Sequence, residues 1–174
     1  NAVILSSNLG ATIDFTNGGL DIDCTLGTGF GATGGGTISV QGAGNSITTT
    51  TGSALNVANT TIGNSNLTFQ SIASNGSASG IVLNTTGNAG GLAVTGTGST
   101  NSGGIIQNCT GIGVSLTSTI NTSLSWMKID NCISNGIFCD EVTSFSFSNC
   151  IIRDNGILNT ANQAGILFKE IYGT

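Results

Sequence analysis

Every twenty-three residues, the last third of this chain returns to the same alternation of apolar and polar side chains. Sliding it on itself at that spacing puts Ile106 on Ile129 on Ile152, Val114 on Ile137, Leu116 on Cys139 and Leu124 on Phe147. Upstream the register persists at slightly longer spacings, with Leu55-Asn-Val57 falling on Ile81-Val-Leu83 and Leu67-Thr-Phe69 on Leu92-Ala-Val94. Successive side chains of a strand point to opposite faces, so each of these pieces reads as a short strand with one face inward. A period of twenty to thirty residues holding several such strands fits a coil in which each turn covers the apolar face of the last. The expected fold is therefore all-β: a single parallel β-helix, or β-solenoid, of roughly seven turns and open at both ends. It spans residues 1–174 as one domain. At about 4.8 Å per turn the rod would be on the order of 30 Å long. A β-sandwich also uses many short strands, but it would not repeat a strand–turn–strand pattern in register.

Other features agree. Proline is absent, which leaves backbone ladders uninterrupted. No stretch carries the i, i+3, i+4 apolar stripe of a helix. Asn17-Gly18, Asn75-Gly76, Asn135-Gly136 and Asn155-Gly156 read as turn signals between strands. Gly, Thr, Ser and Asn make up about half of the chain, a composition often found in disordered segments. Here 38% of residues are hydrophobic and only 6% are charged, so there is enough apolar surface to support a core.

Charge is unusual in its placement. Eight acids and three bases give a net charge of −5, with no histidine. Between Asp23 and Lys128 there is no Asp, Glu, Lys, Arg or His at all. Nucleic-acid binding needs clustered cations to neutralise phosphate, and so does adsorption to an anionic membrane; neither is expected. No run approaches the about 20 apolar residues of a membrane span. Low charge with abundant Thr, Ser and Asn fits a secreted protein at the cell surface. The chain starts at Asn1 without a basic or apolar leader, so a signal peptide is expected to have been removed or to lie outside this segment.

Candidate chemistry is sparse. Asp21 and Asp23 lie two apart and would share one outward face, a pairing of the kind glycoside hydrolysis needs. With no acid at the matching positions of the following turns, a solvated edge is the simpler reading. Lyase chemistry would want a base such as Lys128, Arg153 or Lys169, but Arg153 falls over Asp130 in the repeat, as a surface ion pair would. Gly18-Gly-Leu-Asp-Ile-Asp23 approximates a calcium-binding nonapeptide but lacks its third glycine and any second copy. Asp140-Glu141 reads as a wet corner. The six N-x-[ST] sequons, starting at Asn59, Asn66, Asn75, Asn84, Asn108 and Asn121, follow from composition. No catalytic residue, metal ligand or cofactor site is therefore expected.

The five cysteines are not a disulfide framework, being odd in number. Cys109 and Cys132 occupy equivalent positions one repeat apart, so they are either two stacked buried thiols or a bonded pair. Cys24, Cys139 and Cys150 read as small core residues. The structural core ladder is assigned to Ile106, Ile129, Ile152, Val114, Ile137, Leu124 and Phe147.

Gly18-Gly-Leu-Asp-Ile22, Asn66-Leu-Thr-Phe-Gln-Ser-Ile72, Gly90-Gly-Leu-Ala-Val-Thr-Gly-Thr-Gly98 and Ser146-Phe-Ser-Asn-Cys-Ile-Ile-Arg-Asp-Asn-Gly156 resemble the β-helix repeats of very large secreted bacterial surface proteins. The resemblance implies a right-handed coil and an extracellular, structural or adhesive role. The expected partners are a second copy stacked head to tail or neighbouring domains of the same chain. A glycan or cell surface is the alternative, and a fragment of a polysaccharide-degrading β-helix enzyme the second alternative. Thr49–Thr51, Thr95–Thr97 and Thr117–Thr119 give T-x-T fragments suited to a polysaccharide or ice, but not at one solenoid position, as a regular ice-binding face would need.

Overall fold

The computed structural model describes residues 1–158 and 160–173. Within them the chain winds as a β-solenoid of about seven turns, with every strand pairing parallel and no helix. The first turn holds β1 (Val3–Ser6), β2 (Thr12–Phe15) and β3 (Asp21–Cys24); the second holds β4 (Phe30–Thr33), β5 (Thr37–Val40) and β6 (Ser46–Thr49). The third holds β7 (Leu55–Ala58), β8 (Thr61–Phe69) and β9 (Ser71–Asn75), and the fourth β10 (Ile81–Asn84), β11 (Leu92–Val94) and β12 (Ile105–Gln107). In the fifth and sixth, one long strand bends around a corner to serve two faces. These are β13 (Val114–Ser125) with β14 (Lys128–Asp130), and β15 (Ile137–Ser148) with β16 (Ile151–Arg153). The seventh turn contributes β17 (Ile166–Phe168) and β18 (Ile171–Tyr172). The two bent strands merge the first and second faces into one twelve-stranded sheet; the third face is a separate six-stranded sheet.

Register follows the apolar alternation. Val3, Phe30, Leu55, Ile81, Val114, Ile137 and Ile166 stand in one column through consecutive pairings. Ile106, Ile129 and Ile152 stand in another on the third face, and Leu124 pairs Phe147. Of the ladder residues, Ile106, Val114, Leu124, Ile129 and Ile137 are fully buried, while Ile152 and Phe147 are half-buried in the sixth turn. Phe15, Phe30 and Phe69 meet edge to face inside the N-terminal half, an arrangement that suits the ring quadrupoles. The interval between stacked residues stretches from 23 to 33 residues. The longest interval accommodates a loop after β11, folded by Ser102 Oγ, which donates to Ser99 O and accepts the Thr97 N–H.

The interior columns run out to both ends. In the first turn the inward residues Val3, Leu5, Ile13, Phe15 and Leu20 are only partly buried, and outward Ile4 and the turn residues Leu9 and Leu26 add exposed apolar surface. At the other end Phe168 and Ile171, which continue the columns of buried Cys139 and Val142, are exposed.

Two expectations need correction. Asn135-Gly136 is not a turn: neither residue has a positive φ, and Asn135 is buried, its Oδ1 accepting the Ala164 N–H at 2.7 Å. The glycine is there for closeness, since a Cβ would sit 2.5 Å from Gly165 O. Cys24 is half-buried and not a core residue, because it lies in the first turn where the core thins, its Sγ bonding Leu26 O at 2.8 Å; Cys150 is half-buried but packs against the core.

Candidate functional site

Cys109 and Cys132 are brought together, both fully buried and both free thiols. They close an internal polar chain at the corner between the third and first faces. Ser74 Oγ donates its one proton to Gly52 O at 3.0 Å and lies 2.8 Å from Ser77 Oγ, which can donate back to it, and Ser77 Oγ meets Cys109 Sγ at 3.7 Å. The hydrogen bond from Cys132 lowers the pKa of Cys109 against the burial that raises it. Cys132 is pushed up by that same bond and by burial, since its anion would lie beside another sulfur. Cys139, in an apolar column, is pushed up to about 12 by burial alone. With no exposed surface on either sulfur of the pair, its chemistry is internal: it satisfies polar groups where the coil turns.

Asp21 and Asp23 do share an outward, exposed face, with Ile22 inward. Their neighbours in the next turn are Ser46 and Thr48, and Ser46 Oγ donates to Asp21 Oδ1 at 2.5 Å. Ser39 likewise donates to Asp14, and Ser118 to Glu141. Each acid thus lies against a hydroxyl, not a second carboxylate. Among the described residues no three or more Cys, Asp or Glu side chains gather as metal ligands would.

The bases of the C-terminal turns are held in ion pairs. Asp130 is nearly buried, paired with Lys128 on its own strand and with Arg153 one turn on, at 3.3 Å. The hydrogen bond from Lys128 first, and Arg153 second, hold its carboxyl below the usual range. Lys169 pairs Asp140 at 2.9 Å. Beside this cluster runs an asparagine ladder that apolar alternation does not reveal. Asn108 Nδ2 donates to Asn75 Oδ1 and Asn131 Nδ2 to Asn108 Oδ1, each at 2.7 Å. The repeated Asn-Cys dipeptide was the visible signal, and its first residue makes the exposed bonds between turns.

Two shallow depressions mark the uncharged middle turns. One, of about 250 Å³, lies where the second face meets the third, between the Gly42–Gly44 backbone and Gln70, Thr95 and Thr97. The other, of about 390 Å³, lies on the third face over Ala73, between Thr48, Thr50, Asn75, Ile105 and Gln107. Comparison with known proteins finds no match to this chain among family models, curated proteins or solved structures.

Proposed function

We propose that the protein is a non-enzymatic extracellular structural rod whose end turns are covered by further solenoid turns, in a surface filament or a larger cell-surface protein. The supporting observation is the exposure of the core at both ends. The interior columns are fully buried in the middle turns, yet their end members stand half-open. The edge strands β1 and β17 each have a parallel neighbour on one side only. Apolar surface and unpaired backbone at an edge are an invitation to another strand. A second copy placed head to tail would set Val3 on Ile166, Leu5 on Phe168 and Ile13 on Ile171, apolar on apolar. The secreted setting is supported by the 6% charged content and the Thr- and Asn-rich surface.

Negative-stain electron microscopy over a wide concentration range tests this. Filaments with an axial repeat of one rod mean that copies join end to end. Short discrete rods mean that neighbouring domains provide the cover. Compact particles with no rod, or turnover of a polysaccharide by the purified chain, would remove the proposal.

A further inference from the structure

We infer that the uncharged corner of turns two to four is a binding site for a neutral polysaccharide chain, seated in the two depressions at either end of β9. The depressions are formed by different residues, yet the same strand leads from one to the other: Gln70 borders the first, and Ala73 and Asn75 line the second. At roughly 3.3 Å per residue along a strand, the two lie on the order of 15 Å apart. That span calls for an extended, repeating ligand more than for a compact one.

The lining selects the chemistry. Thr48, Thr50, Asn75, Thr95 and Thr97 are exposed, and Gln70 and Gln107 half-exposed. Hydroxyls and carboxamides both donate and accept, so they suit a partner that does the same at every position, as a polyol does. Asn75 Oδ1 accepts from Asn108, and among the described residues its own amide nitrogen makes no hydrogen bond. Ile105 gives an apolar wall for the C–H face of a sugar ring, and the glycine backbone lets a ring approach the main chain closely. No ionisable side chain occurs in turns two to four. The nearest cation, Lys128, pairs with Ile105 in register but is neutralised by Asp130. An anionic sugar or a nucleic acid would find no free cation here. A peptide would add as a strand to a sheet edge, whereas the second depression lies over the paired strands of the third face and the first at a corner between inner turns, neither of them at a sheet edge. Cavities of this size are at the small end of ligand sites, which fits one ring in each.

Isothermal titration with uncharged glucan, mannan and galactan oligomers, from dimers to octamers, tests the inference beside polyuronates of the same lengths. Affinity for at least one uncharged series should climb with length until the oligomer reaches both depressions, by the effective-concentration gain of linked sites. Gln70→Ala and Gln107→Ala should each weaken it about tenfold, the worth of one good hydrogen bond. Ala73→Tyr should remove the length dependence by filling the second depression; the two glutamine variants keep the test valid should that one fail to fold. Absence of binding to every uncharged series overturns the inference. So does length-independent binding, binding unchanged in all three variants, or preference for the polyuronates.

Discussion

Thr122 occupies an apolar column with a hydroxyl that has no partner. It pairs in register with Phe145 and stands in line with Leu92, itself paired with Leu67. Its Oγ1 is buried without a hydrogen bond, unlike Thr86 and Thr119, whose hydroxyls bond each other at 2.5 Å. Leaving a buried hydroxyl unsatisfied costs about 1–3 kcal/mol. Thr122→Val keeps the shape and removes the cost, so its midpoint in urea should rise by the equivalent of about 1 kcal/mol; a lower midpoint would mean that the hydroxyl has a partner. Asp130 makes the opposite case, a nearly buried polar group that is fully used. Because its folded pKa is lowered, the stability it contributes is complete above the ordinary carboxylate range, near pH 4, and fades as pH falls through the lowered value. Asp130→Asn should lose that acid-dependent component and be less stable at neutral pH, with Lys128 left unpaired; urea midpoints from neutral to strongly acidic pH read both.

The corner after the first face is built from backbone conformation more than from residue type. One residue past the first-face strands, Ser7, Gly34, Asn59, Thr85, Ser118 and Glu141 stand in a column, each with φ between 46° and 80°. The column follows from the register of the strands before it. A left-handed backbone is uncommon outside glycine and asparagine, and for a β-branched residue it is a genuine outlier. Thr85, exposed and with φ 55°, is held there by the stacked turns on either side. Thr85→Gly should therefore stabilise the rod by about 1 kcal/mol, the cost of that conformation, as read by its thermal midpoint. This column also shows where the sequence stops being legible. The strands and their pairing are visible in Ile106, Ile129, Ile152 and their neighbours, because alternation reports burial directly. A serine, a threonine and a glutamate sharing one backbone conformation leave no common mark, since stacking imposes what the side chains do not favour. Asn135-Gly136 misleads for the converse reason: a turn dipeptide serves there as a buried acceptor beside a close backbone contact. The depressions are half-legible. The T-x-T fragment at Thr95–Thr97 borders the first, but Gln70, Ala73 and Gln107 meet it or its neighbour only after three turns are stacked.

In a solenoid, stability is a sum of turn and interface contributions, and each inner turn has two interfaces where an end turn has one. Amide exchange should then be slowest in turns three to five, around Leu83, Val94 and Leu116, and fastest at Val3–Ser6 and Ile166–Tyr172. Uniform protection along the rod would show that the ends are as firmly held as the middle. The stacked columns carry a hazard as well. Isoleucine over isoleucine on the third face looks the same one rung up or down, so a folding chain could thread onto the wrong neighbour with little loss of apolar contact. The spacing between stacked residues guards against this, because it varies from 23 to 33 residues along the rod. A turn that skipped a place would meet strands too far away or too near for its connecting loops. The irregular loops thus work as addresses, giving each near-identical turn a single place in the stack.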